Sequence, residues 1–244
     1  MRGFETYGGV IPNVSPEELT GWLIVIEGTD GAGRSTQIEL LRGYLERLGY
    51  AVAETGLSRS DLASRGIRRA KQGNILGSDA FNLFYATDFA DRLERQIIPA
   101  LRAGFVMLTD RYIYSLIARA IVRGADPSWI KQAYSFALRP DAVFYLRLSV
   151  PDLVPRVLAR GGFDYWESGG DLPLGNDLYD CFINYQDRVI AQLDALSEEY
   201  RFDTLPGVDS IESISEQLCT RVRDILRRPR LGPSLNGPVS DREP

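Results

Sequence analysis

The sequence predicts an α/β fold, a five-stranded parallel sheet with helices on both faces, and three observations predict it. Short apolar runs alternate with longer amphipathic runs along the 244 residues, the pattern of strand–helix units whose right-handed crossovers cover a sheet on both sides. Glycine, proline or a short polar side chain marks the changes from one period to the next. The first apolar run, Trp22–Ile26, passes directly into a glycine-rich turn, Gly28, Gly31 and Gly33. A helical period then begins near Arg34, with Ile38, Leu41, Leu45 and Leu48 on one face.

That strand, turn and helix start make a phosphate cradle. Glycines let successive backbone N–H groups point inward, and the helix dipole adds positive potential. Gly28–Ser35 fits G-x-x-x-x-G-K-[ST] at every fixed position but one, where Arg34 replaces lysine. Arginine is longer, planar and forked, so it clamps phosphate differently from the compact lysine ammonium. A plain strand–turn–helix without a ligand fits poorly with the glycine density, Asp30 and Ser35-Thr36. The motif makes the fold class a three-layer P-loop NTPase fold.

The remaining elements follow in order. Residues 1–20 read as an irregular leader on the surface. Gly49 closes the first helix and Tyr50–Glu54 is the second strand. Thr55–Ser60, with Gly56 and Arg59, is a loop. Asp61–Gln72 is helical, and its Arg65, Arg68, Arg69 and Lys71 read most simply as a solvated face. Ser78 opens a long helix to about Leu101, interrupted near Pro99, carrying Phe81, Phe84, Tyr85, Phe89, Leu93 and Ile97. Such a stripe is usually core or a subunit contact. Tyr85 and Phe89, one turn apart, can alternatively flank a planar base.

Phe105–Thr109 is the third buried strand and runs into Asp110-Arg111-Tyr112. A carboxylate at that strand end is placed either to hold Mg²⁺ or to cap the next helix. Arg111, Ser115, Arg119 and Arg123 step by four along that helix, as an anion-binding wall or as exposed charge. Asp126-Pro127 starts a helix to Leu138, Ala142–Leu148 is the fourth strand, and Pro151 starts a helix with Arg156 and Arg160 one turn apart. The block 161–170, with glycine pairs at both ends, reads as a hinged lid segment spanning about 156–176, useful for excluding water from a phosphoryl transfer. Asp177–Glu199 is a helix, Tyr200–Leu205 the fifth strand and Asp209–Arg227 the last helix. The Pro/Gly/Ser-rich segment 229–244 reads as a disordered tail, which leaves one domain over 21–228.

Composition narrows the chemistry. The chain is 44% hydrophobic and 25% charged with a net charge of −5, so nothing points to a nucleic-acid-coating protein. Histidine is absent, which excludes histidine triads and imidazole acid–base catalysis. Cys181 and Cys219 make neither a disulfide framework nor a metal site. No signal-peptide pattern or membrane-length apolar run is visible, so a cytoplasmic location with no membrane partner is expected. Ligands in open parallel sheets sit at the carboxyl ends of the strands, where Gly28–Ser35, Asp110-Arg111 and the loop near Thr55 all fall.

The chain resembles the thymidylate kinase family of nucleoside monophosphate kinases. The matching pieces are Ile26–Gln37, Asp110-Arg111-Tyr112 with Ser115, Pro140-Asp141 before a strand, and Arg156-x-x-x-Arg160 before the lid. The resemblance implies transfer of the γ-phosphoryl of ATP, with Mg²⁺, to a nucleoside monophosphate, dTMP first. It places ATP on Gly28, Thr29, Asp30, Gly31, Ala32, Gly33, Arg34, Ser35 and Thr36, and the metal on Ser35 and Asp110. It places the acceptor on Asp30, Tyr85, Arg111 and Ser115 and the neutralising charge on Arg156 and Arg160; the residues of this chain add Arg59, Phe89 and Arg119 to the acceptor site and Arg34 and Asp110 to catalysis. A homodimer through the aromatic helix 78–101 is implied as well. One branch of the family carries an arginine inside the loop; here that position is Gly31, so the lid arginines must neutralise the transferring charge.

Departures accompany the match. The family's Arg-Glu-Pro-Gly-Gly after the second strand is Thr55–Arg59, and its Ala-Asp-Arg is Thr87-Asp88-Phe89, with Arg92 three residues on as a substitute base contact. Its Ala-Tyr-Gln is Ala118-Arg119-Ala120, and Tyr165 follows Asp164 where the lid carries arginine. Arg59 and Arg119 make the pocket more cationic. Two alternatives therefore stand beside the kinase: a P-loop phosphotransferase with another anionic acceptor, and a catalytically weak ATP-binding regulatory protein.

Overall fold

The computed structural model describes residues 4–57, 60–73 and 76–227. Five strands form one all-parallel sheet in the order β2-β3-β1-β4-β5: β1 Trp22–Glu27, β2 Val52–Gly56, β3 Val106–Asp110, β4 Ala142–Arg147 and β5 Asp203–Pro206. The helices are α1 Arg34–Arg47, α2 Ser64–Gly73, α3 Ser78–Arg92, α4 Ile98–Arg102, α5 Ile113–Val122, α6 Pro127–Ala133, α7 Val150–Ala159, α8 Leu178–Tyr200 and α9 Ile211–Leu226. The expected sheet and the helix–strand order are both present. The long aromatic helix is α3 and α4 joined by a π-helical turn, Leu93–Ile97, just before Pro99. The expected tail at 229–244 lies outside the described residues.

The sheet is buried on both faces, which is why its strands read as continuous apolar runs instead of alternating ones. Leu23 and Val25 of β1 pack into a core with α3, α4, α5, α6 and α8. Ile24 and Ile26 pack into a second core with α1, α7 and α9. The register sets Ile26 opposite Asp110 and Gly56 opposite Asp110 from the other side. The N–H of Arg111 donates to the carbonyl of Ile26 at 3.0 Å. Pairing along the centre of the sheet thus brings the end of β3 directly beside the glycine loop after β1.

The leader packs on the domain, and more deeply than a purely superficial segment: Phe4, Ile11 and Leu19 are buried in the first core. It hydrogen-bonds the chain after α6, with Tyr7 N–H to the carbonyl of Ala137 at 3.2 Å, Gly9 N–H to that of Ser135 at 2.9 Å and Arg139 N–H to that of Glu5 at 2.7 Å. α6 stops at Ala133 instead of running to Leu138: residues 134–136 form turns, and Leu138 makes an antiparallel bridge with Thr6 of the leader.

The start of α5 is held by a buried acid. Glu27 accepts from the N–H of Tyr112 at 2.8 Å, the N–H of Ser115 at 3.3 Å and the hydroxyl of Ser115. It caps the helix from across the sheet. Burial pushes the Glu27 carboxyl above its usual range, partly opposed by Ser115 and Tyr112. Glu27→Ala leaves two N–H groups unsatisfied in the core and is expected to cost about 2–4 kcal/mol, whereas Glu27→Gln keeps an acceptor oxygen and costs less than half of that. Denaturant unfolding of the two variants checks the ordering.

Candidate active site

The glycine loop has the backbone its residues require. Gly28, Gly31 and Gly33 have φ of +151°, +87° and +89°. Gly33 precedes α1 in the left-handed region with no side chain capping the helix, so the first N–H groups of α1 are left for a ligand, the setting of an anion site. A β-carbon on Gly31 would meet Leu153 Cδ1 at 3.1 Å and Val157 Cγ2 at 3.3 Å. The packing of α7 over the loop, besides the positive φ, therefore makes any side chain at this position strained.

Arg34 turns back onto this loop. Its Nη1 donates to the carbonyl of Gly28 at 2.8 Å and to that of Thr29, and its Nε donates to Asp110 Oδ1 at 2.7 Å. The guanidinium thus braces the loop and pairs with the strand-end carboxylate instead of projecting free. Ser35 Oγ donates to Asp110 Oδ2 at 3.3 Å. Burial works to raise the Asp110 pKa, but Arg34, Arg111 and Ser35 outweigh it and hold the carboxyl below its ordinary range. A hydroxyl beside an ionised carboxylate is the hard oxygen pair that suits Mg²⁺. No cluster of three or more acidic, cysteine or histidine ligands occurs among the described residues.

Beside the loop lies a cavity of about 360 Å³, within the size range of small-molecule sites. One end is cationic. Arg111, at φ +67° and 8% exposed, and Arg119 from α5 both pair with Asp30, itself 7% exposed. Arg123, just past the end of α5, also lines the cavity and is held by Asp171 at 2.9 and 3.1 Å, by Tyr185 and by the carbonyl of Trp166 at 3.2 Å. The row of arginines on α5 is therefore a wall of the cavity and not exposed charge. The other end is aromatic. Phe81 and Tyr85 of α3 meet edge to face, and Trp166 of the lid stacks on Phe81 with centroids 5.5 Å apart.

Burial would raise the Asp30 pKa, but Arg111, Arg119 and Arg34 overcome it and hold the carboxyl far below the ordinary Asp range. With the folded value depressed, the stability it contributes is present above the unfolded pKa of about 3.9 and is lost as pH falls through the folded value. Asp30→Asn is therefore expected to lower the melting temperature at pH 7 and to flatten its acid limb. Melting curves from pH 7 to pH 2 that keep the wild-type slope would contradict the pairing.

Several expected site residues lie elsewhere. Phe89 is fully buried among Tyr112, Tyr134 and Phe136, so it belongs to the core and not to the pocket. Arg92, the substitute base contact, is fully buried, with its Nε on Asp88 at 2.9 Å, and does not line the cavity. Ser115 is spent on Glu27. Arg156 donates to the carbonyl of Gly207 at 2.7 Å, and Arg160 pairs with Glu167, so neither lid guanidinium is directed at the loop. Arg59 lies outside the described residues. Sequence reasoning passed over Lys71, Asn82, Trp166 and Glu167, all on the cavity wall. Lys71 stands among charged neighbours that read as a solvated face, and the two lid residues carry no motif of their own.

A family model described as thymidylate kinase matches residues 26–167. A probable thymidylate kinase 2 of Saccharolobus solfataricus is 38% identical over 191 residues, 78% of this chain and 89% of that protein. A thymidylate kinase of Halothermothrix orenii is 33% identical over 214 residues, 85% of this chain and 99% of that one. A probable thymidylate kinase of Thermococcus kodakarensis is 39% identical over 146 residues, 56% and 71% of the two chains.

Proposed function

Because the chain belongs to the thymidylate kinase family, we propose that it transfers the γ-phosphoryl group of ATP to dTMP, giving dTDP and ADP. The observation that carries this reading is the lining of the cavity: Arg111 and Arg119, paired with Asp30 of the glycine loop, together with the rings of Phe81, Tyr85 and Trp166. A nucleoside monophosphate offers a match for both, an anionic phosphate and a flat base.

The loop N–H groups from Gly28 to Thr36 take the donor's phosphates. Ser35 and Asp110 would hold Mg²⁺, which would supply positive charge against the phosphates. Arg111 and Arg119 hold the phosphate of dTMP, exchanging part of their hold on Asp30 for it, and Tyr85 stacks on the base. The attacking oxygen is already anionic, so no histidine is needed; alignment and cationic stabilisation carry the rate. Arg34 supplies the charge nearest the transferred group. Arg156 and Arg160 join it once they leave Gly207 and Glu167, and the lid, with Trp166 on Phe81, excludes water that would otherwise accept the phosphoryl group. Phe89, in the core, has no place in this scheme. Leu83 and Phe84, exposed on the outer face of α3, are where a homodimer would form, which light scattering tests.

Among the described residues no helix is long and apolar enough to cross a membrane, and we place the enzyme in the cytoplasm. The function is tested by ADP release from ATP and Mg²⁺ with a panel of nucleoside monophosphates. Turnover with dTMP above the other bases is expected; no turnover with any of them overturns the reading.

A further inference from the structure

The aromatic end of the cavity holds a polar group that has no partner in the protein. Asn82 lies on α3, three residues before Tyr85, 8% exposed and on the cavity wall, and its Nδ2 is buried without a hydrogen bond. Buried amide donors are nearly always paired, because an unmade bond there is costly. The residue that carries this unsatisfied donor lines the space where a base would lie. Lys71 of α2 lines the same space, its Nζ 6.0 Å from the centre of the Tyr85 ring and 5.8 Å from that of Trp166. Two N–H donors thus stand beside the stacking surfaces, while the residue at the base-reading position of the resemblance, Phe89, is in the core.

We propose that Asn82, seconded by Lys71, determines base specificity by donating to the 4-oxo group of the acceptor pyrimidine; the inference rests on the cavity being the dTMP site. Thymine offers an acceptor at position 4, whereas cytosine offers an amino group there, which would set N–H against N–H. Two donors therefore favour dTMP over dCMP. Lysine can only donate, so the pair cannot reverse its pattern for an amino group by rotating the asparagine amide alone.

The test measures kcat/KM for dTMP and dCMP on the full chain, with saturating ATP and Mg²⁺, for wild type, Asn82→Asp, Asn82→Leu and Lys71→Met. Asn82→Leu is expected to raise KM for dTMP about tenfold or more with KM for ATP unchanged. Asn82→Asp, which accepts where the amide donated, is expected to lower the dTMP/dCMP preference by about tenfold or more, a change that a merely structural role would not produce. Lys71→Met, on a partly exposed side chain, lowers the preference less. If wild type turns over dTMP and all three variants keep the wild-type preference within about twofold, the inference is overturned and the kinase reading stands. If wild type turns over no monophosphate, the kinase reading fails and takes the inference with it. Should the Asn82 variants not fold, Lys71→Met and calorimetric binding of dTMP and dCMP to wild type decide, and equal binding of the two overturns the assignment.

Discussion

Arg34→Met is expected to lower kcat by about 10²–10³-fold, the size of effect seen when one preorganised donor is removed from a transition state. Three tasks converge on that guanidinium: it joins the carbonyls of Gly28 and Thr29, pairs with Asp110 at 2.7 Å, and carries the positive charge of the loop. Methionine keeps the aliphatic stem and removes all three. Asp110 then retains Arg111 and Ser35 but loses its closest cation, so its carboxyl rises toward the ordinary range, which weakens its use as a metal ligand. Arg34→Lys separates the tasks. A lysine supplies the charge as a point, but one nitrogen cannot span two carbonyls and a carboxylate in the manner of a fork. If charge alone matters, Arg34→Lys stays within about tenfold of wild type, or gains; if the fork is what shapes the loop, it falls nearly as far as methionine. Steady-state ADP release, with circular dichroism to confirm the fold, reads the outcome. A methionine variant with near wild-type kcat would reduce Arg34 to a brace with no part in transfer.

The sheet and the loop were legible because their causes are local. Trp22–Ile26 and Phe105–Thr109 are apolar runs of strand length, and they are continuous because both sides of the sheet are covered. Gly28, Gly31 and Gly33 mark positions whose φ only glycine adopts easily, so the turn can be read from identity and spacing. What was not legible depends on direction and on distant partners. Tyr85 and Phe89 share a helix face by spacing, yet one reaches the cavity and the other the core. Four residues leave a drift of about 40°, enough to cross the edge of a pocket. Lys71 sits in a basic segment, and only the packing of α2 on α3 turns it to the rings. Ser115 stands where the motif places it, but the buried Glu27 across the sheet claims its hydroxyl. The leader carries isolated apolar residues, Phe4, Ile11 and Leu19, with no periodicity, so its burial left no signal. Arg34 was visible as a departure from the motif; its turn onto the loop carbonyls was not, since those partners exist only once the loop has closed around it.

Arg111→Ala is expected to raise KM for dTMP by about 10²–10³-fold while moving KM for ATP by no more than about threefold, because it removes a buried, charge-assisted contact to one substrate only. Its place supports that selectivity. The residue leaves β3 at φ +67°, which aims its side chain beneath the loop, where Nη2 meets Asp30 and Nε approaches the carbonyl of Gly28 at 3.4 Å. A side chain so fixed has little rotamer freedom left to lose when phosphate binds, so its affinity is preorganised. Arg119 shares Asp30 from a more open position, 22% exposed against 10% for Arg111. Arg119→Ala should accordingly cost about tenfold in KM for dTMP, a less desolvated charge contributing less. The double variant should cost more than the two together in stability, because Asp30 then stays buried with neither of its salt-bridge partners, a loss of about 3–5 kcal/mol when a buried pair is broken on one side. Comparing the two single variants and the double variant by calorimetric binding of each substrate separates binding from folding. Equal weakening of ATP and dTMP by Arg111→Ala would mean that the cationic end of the cavity holds the loop together and does not receive the acceptor phosphate.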